Sequence, residues 1–193
     1  MHGHVLRCAG IARGGVNSSL RTESCYTLRA GELMRSYQVF AAMTPEEAER
    51  MLRVLSKESP AMFRQMVDAA AVSIKARPVF LRNQPFELRA KTIRRALSRV
   101  STNLVADELL AIYFLECRKA HLLEWLDGIG LAHEDGTLSD EKPAEPAASE
   151  LAAAVAKYRG AGDDPDRELL LRAFAAQSAI DWPALDALLG FTA

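Results

Sequence analysis

Residues 104–127 read LVADELLAIYFLECRKAHLLEWLD, and this run decides the fold. Its 24 residues make roughly 36 Å of helix at 1.5 Å rise per residue. Leu109, Leu110, Ile112, Tyr113, Phe114, Leu115, Leu122, Leu123, Trp125 and Leu126 leave little of its circumference polar. A helix that is apolar nearly all round is normally buried. The run is therefore expected to be the long central helix of a compact all-α bundle. Gly128-Ile129-Gly130 follows it and supplies a left-handed helix stop.

Upstream, Thr44-Pro45-Glu46-Glu47 is a helix-start signal. Thr44 can cap, Pro45 suits the first helical position and Glu47 completes a capping box. Ala48, Met51, Leu52 and Leu55 then recur at helical spacing. Ser59-Pro60 starts a second helix carrying Phe63, Met66, Val67, Ala70 and Ile74. It should end near Ala76, because Arg77 precedes a proline. Pro78 to Pro85 reads as an extended connector. A third helix is expected from Pro85 to about Val100, with Phe86, Ala90, Ile93, Leu97 and Val100 on an a/d seam. That seam could pair with the long helix or with a second copy of the chain.

Downstream, Glu134-Asp135-Gly136 suggests the bend of a short hairpin. Residues 133–149 are acidic and proline-containing, and read as a linker. Three short helices should follow, one closing at Gly160, one opened by Asp164-Pro165 and one capped by Asp181. Trp125 and Trp182 are expected core anchors, since large aromatics bury much area. The sum is about six or seven helices within a 43–193 domain.

Residues 1–42 differ in kind. They hold five Gly, five Arg, two acids and no helical apolar stripe, so a poorly ordered tail is expected. Two readings compete: a tail faintly like an Arg-rich transit peptide, or a chain start placed upstream of Met34 or Met43.

Composition supports helices. The 193 residues include 32 Ala and 18 Arg against 6 Lys, and Ala and Arg are good helix formers. The same bias fits a GC-rich bacterial genome. Cys8, Cys25 and Cys117 are odd in number and irregular in spacing, so a reducing cytoplasm is the expected location. No apolar run approaches the roughly 20 residues that span a bilayer.

The net charge of −1 makes the chain as a whole neither polybasic nor polyacidic, yet it conceals a strong segregation. Residues 75–101 hold eight bases and one acid, a net of +7, whereas residues 102–150 hold eleven acids and three bases, a net of −8. The two segments could neutralise one another. Otherwise Arg89, Lys91, Arg94, Arg95 and Arg99 would offer a basic helix face to an acidic protein partner. The +7 segment could also take nucleic acid, with Phe80 and Phe86 stacking on bases. Against that, no recognition motif accompanies the charge, and the Pro78–Pro85 connector is too long for a helix-turn-helix.

Chemistry has one candidate. Cys117, His121 and Glu124 fall at roughly 0°, 40° and −20° around a helix, and thiolate, imidazole and carboxylate can bind zinc. Cys117 and His121 could alternatively form a nucleophile and base. One helix rarely supplies three ligands, and a Cys within an apolar helix is usually a packing residue. Asp127, Glu134, Asp135, Asp140 and Glu141 lack the EF-hand spacing and read as a solvated acidic loop. The expectation is a non-enzymatic helical interaction module without a cofactor. Nucleic-acid binding is the alternative, and a metal or enzymatic site the third reading.

Overall fold

The computed structural model describes residues 34–190. Cys8, Cys25 and the first 33 residues of the expected tail lie outside them. The described chain is all-α, with ten α-helices and one two-stranded hairpin. They are α1 (Ser36–Ala42), α2 (Pro45–Glu58), α3 (Pro60–Ser73), α4 (Pro78–Arg82), α5 (Phe86–Leu97), α6 (Asn103–Ile112), α7 (Lys119–Gly128), α8 (Ala148–Gly160), α9 (Pro165–Ala175) and α10 (Pro183–Leu188). Strands β1 (His133–Glu134) and β2 (Thr137–Leu138) pair antiparallel between α7 and α8. No described helix is long and apolar enough to cross a membrane.

The start at Thr44 follows its capping logic. Thr44 Oγ1 accepts from the Glu47 N–H at 3.1 Å, and Glu47 Oε2 accepts from the Thr44 N–H at 2.7 Å. Ala48, Met51, Leu52 and Leu55 are all fully buried. The domain nevertheless begins earlier than residue 43. Helix α1 packs on α5, α6 and α9, with Val39 and Phe40 buried. Ser36 Oγ donates to Asp107 at 2.7 Å, the Tyr37 N–H to Asn103 at 3.1 Å and the Met34 N–H to Asp186 at 3.3 Å. Residues 34–42 thus belong to the fold, which corrects the expected boundary. Their three buried apolar side chains, Met34, Val39 and Phe40, do not recur at helical spacing, so the periodicity test missed them.

The Pro78–Pro85 connector is not extended. Pro78–Arg82 makes a helical turn, α4, with proline at its first position. Helices α3 and α5 run in the same direction. Phe63 stacks on Phe86 at 5.7 Å near their N-terminal ends, and Arg99 Nη1 donates to the Ser73 carbonyl at 3.0 Å near their C-terminal ends. Helix α4 returns the chain between them, and Arg82 grips Asp68 of α3. The seam of α5 is occupied within the chain: Ala90, Ile93 and Leu97 are buried, while Val100 turns outward on a 3₁₀ turn.

The long helix is interrupted. Tyr113–Cys117 is a π-turn, closed by the Arg118 N–H on the Tyr113 carbonyl at 3.0 Å, and Arg118 leaves helical geometry. No Pro or Gly announces the break. Its partners explain it. Asp166 of α9, almost wholly buried, accepts from the Tyr113 hydroxyl at 2.9 Å and from Arg118 Nε at 2.7 Å. A straight helix would not present both groups to one carboxylate. Leu109, Leu110, Tyr113, Trp125 and Leu126 remain the centre of the core, so the segment is central though not continuous.

The C-terminal half follows its reading closely. Gly130, at φ +72°, forms a Schellman stop: its N–H bonds to Asp127 and the Leu131 N–H to Leu126. Asp135 and Gly136, both at positive φ, make the two-residue hairpin turn. Asp164 Oδ1 accepts from the Asp166 N–H at 2.9 Å and opens α9. Trp125 and Trp182 are buried, each at about 5.5 Å or slightly more from the Phe174 ring. Asp181 makes no cap; the residue before α10 is Trp182, whose indole N–H donates to the Pro143 carbonyl at 3.0 Å.

Candidate functional site

No ion pair among the described residues joins the basic segment to the acidic one, although α5 touches α6. Among the described residues, the ion pairs of residues 75–101 are Arg82 with Asp68 and Glu87 with Arg53, both made to α2 or α3. Mutual neutralisation of the +7 and −8 segments is therefore not how the charge is balanced.

The five bases expected on one outer face divide into two groups. Arg89 is half-buried over the Phe63 and Phe86 rings, with its guanidinium carbon 5.6 and 5.4 Å from their centroids. Arg94 is half-buried too, and its Nη1 donates to the Met43 carbonyl at 3.0 Å. These two hold the chain together. Lys91, Arg95 and Arg99 are exposed. Steps of three and four place Leu88, Lys91 and Arg95 along one side of α5, and Arg99 continues that line to Ser73 at the end of α3.

The sequence reading missed the apolar half of this surface. Val72, Val79, Phe80, Leu88, Val100 and Leu104 are between 49 % and 83 % exposed. Along the chain they alternate with Lys75, Arg77, Lys91, Arg95 and Arg99, none of which has an acidic partner among the described residues. Leu88 carried a signal, since it sits beside Arg89 at a position off the a/d seam, whereas Val100 read as a member of that seam. Val72 and Leu104 carried none. Phe86 is not available for stacking on bases: it lies against Phe63, with Arg53 over it at 4.5 Å. Phe80 is the exposed ring of the two.

Lys75 adds a local peculiarity. It adopts φ +57° at the end of α3, where its N–H bonds to Val72 and the Ala76 N–H to Ala71. Glycine is the unstrained residue for such a stop. Here an ammonium-bearing side chain stands in the strained position, at the edge of the basic and apolar surface.

Cys117, His121 and Glu124 are not brought together. Among the described residues no three His, Cys, Asp or Glu side chains form a group able to hold a metal ion. His121 Nε2 lies 3.0 Å from Asp164 Oδ2. Glu124 takes a two-pronged bond from Arg167, at 2.9 and 2.8 Å. Cys117 is buried in the π-turn, and burial pushes its thiol up to about 11, with Glu58 and Glu116 adding to the effect. A thiol so protonated at neutral pH is a poor nucleophile. The acidic loop is likewise dispersed, Asp127 pairing with His133 and Asp135 with Lys119.

Three carboxyls are held below their ordinary range. Arg167 does this for Glu124, chiefly by its hydrogen bonds. The Asp166 N–H does it for Asp164, with His121 adding. At Glu47 burial acts upward, but the Thr44 N–H and Arg172 together outweigh it. A carboxyl lowered by folding adds stability above its unfolded value and loses it as pH falls through the folded one. Asp186 has the opposite sign, because burial pushes it up. With three groups against one, thermal stability should hold from pH 7 to about pH 5 and fall below about pH 4.5. In melts across that range, Glu124→Gln should cost stability at pH 7, and its offset from the parent curve should shrink as the pH falls below the ordinary carboxylate range; a constant offset at every pH would contradict it.

Scans against protein-family models, curated proteins and solved structures each found no match to this chain.

Proposed function

We propose that the chain is a non-enzymatic helical interaction module, and that the surface of α3, α4 and α5 binds an acidic amphipathic segment of a protein partner. The observation that carries this reading is the interleaving of exposed apolar side chains with cations that lack an acidic neighbour. Val72, Val79, Phe80 and Leu88 would meet the apolar side of such a segment, and Lys75, Arg77, Lys91 and Arg95 its carboxylates. Protein interfaces of this kind combine an apolar centre with a charged rim, and complementary charge sets both specificity and association rate. A nucleic-acid ligand would use the cations and the exposed Phe80 ring but give the three aliphatic side chains Val72, Val79 and Leu88 no role.

The test is charge reversal at residues that serve no internal bond. Arg94 is unsuitable, since it holds Met43. Lys91→Glu with Arg95→Glu should reduce capture of a partner by the full chain about 10-fold or more at low salt. Each exposed pair contributes up to about 1 kcal/mol, and reversal replaces attraction by repulsion. The melting temperature should move by no more than about 2 °C, as surface changes usually do in a chain of this size. Capture that is unchanged by the double reversal rejects the surface. Capture that nuclease treatment abolishes assigns it to nucleic acid.

A further inference from the structure

The β1–β2 hairpin covers part of an apolar cavity of about 270 Å³ that is open to solvent on one side. Phe114 and Leu122 form one wall, and Leu170 and Phe174 of α9 the other. The π-turn contributes Phe114 directly, and such turns are frequent at functional sites. Neither His121 nor His133 lines the space. A cavity of this size and polarity is large for a packing defect, because a dry cavity of about 150 Å³ already accepts a benzene ring.

The roof is fitted closely. Gly136 lies so near the floor that a Cβ there would meet Leu122 at 3.1 Å and Leu115 at 3.2 Å. Two-stranded hairpins are only marginally stable alone. This one is fastened by Asp135 with Lys119 and half-buried His133 with Asp127, and by Leu131 and Leu138, which pack against the core. A ligand enters by the open mouth beside it.

The mouth states the charge of that ligand. Asp140 and Glu141 are the charged residues of the lining, and no Lys, Arg or His accompanies them. Asp140 Oδ1 accepts the Lys142 N–H at 3.0 Å. Among the described residues no other hydrogen bond engages the side chains of Asp140 and Glu141. We infer that the cavity binds a small apolar amine, its hydrocarbon body between α6, α7 and α9 and its ammonium group at Asp140 and Glu141. A carboxylate-headed ligand would meet two like charges.

Calorimetric titration of the full chain tests this with three probes of similar size: 2-phenylethylamine, 2-phenylethanol and 3-phenylpropanoate. The amine should bind about 10-fold more tightly than the alcohol, and the acid more weakly than either. Asp140→Asn with Glu141→Gln should remove the preference for the amine without changing alcohol binding; both residues are exposed, so the variant should fold. Ala111→Phe, which fills the cavity from its rim, should abolish binding of amine and alcohol alike. If that variant does not fold, the charge-neutralised pair decides alone. No amine binding at about 1 mM, equal affinity for the three probes, or an amine preference that survives neutralisation would overturn the inference.

Discussion

Asp166→Ala should destabilise the chain by about 3 kcal/mol. Asp166 is the acceptor on which the broken central helix converges: the Tyr113 hydroxyl and Arg118 Nε bond to one oxygen, and Arg50 Nε lies 3.6 Å from the other. Removing one partner of a buried ion pair typically costs about 3–5 kcal/mol, because the remaining charge is stranded. The lower figure applies here, since Arg118 is a quarter exposed and also reaches Glu58. Tyr113→Phe deletes one hydrogen bond and should cost only about 1 kcal/mol. Pairing Asp166→Leu with Arg118→Met should recover part of the loss, because it removes the stranded Arg118 charge, leaving Arg50, which is 38 % exposed, to be solvated. Urea denaturation measures all three. A loss below about 1 kcal/mol for Asp166→Ala would show that the π-turn is held by packing alone.

The second large effect is expected at Phe40. Its ring is fully buried, on a helix that packs against α5, α6 and α9. Phe→Ala in a core costs about 3–5 kcal/mol through lost transfer energy and the cavity left behind. Phe40→Ala should therefore shift the urea midpoint strongly with little change in slope. A chain beginning at Met43 should lose at least as much, since it also lacks Val39, Ser36 and the Met34 bond to Asp186. A loss under about 1 kcal/mol in Phe40→Ala would mean that α1 is only loosely docked. Against a typical total of about 5–15 kcal/mol, either predicted loss is large enough to reduce the folded population at elevated temperature.

The candidate surface was half legible in the sequence. The charge run from Lys75 to Arg99 is a local property, and counting finds it. Which of its members face solvent is not local: Arg89 and Arg94 sit at adjacent turns to Lys91 and Arg95, yet one covers aromatic rings and the other holds a carbonyl of the α1–α2 junction. The proposed metal triad failed for a related reason. Helical spacing aligned Cys117 with His121, but the helix breaks at Arg118 between them, and Asp164, which caps α9, and Arg167 of α9 claimed His121 and Glu124. The cavity was not legible at all. Its walls come from segments about 50 residues apart in the chain, and nothing about Phe114 or Phe174 separates a residue that lines a space from one that fills it.

Short-range rules were enough to specify that this chain is helical, where Thr44, Asp164, Gly130 and the Asp135-Gly136 turn start, stop or reverse it, and which stripes go inward. Capping, helical period and positive-φ preference each act within about five residues, so they can be read in order along the chain. The contacts between distant segments decided the rest: that α1 belongs to the core, that the central helix breaks at Arg118, and that five cations of the basic segment have no carboxylate partner among the described residues. Those outcomes depend on which group wins a shared partner once the helices are packed, and Asp166, contested by Tyr113, Arg118 and Arg50 from two other parts of the chain, is where that competition is settled.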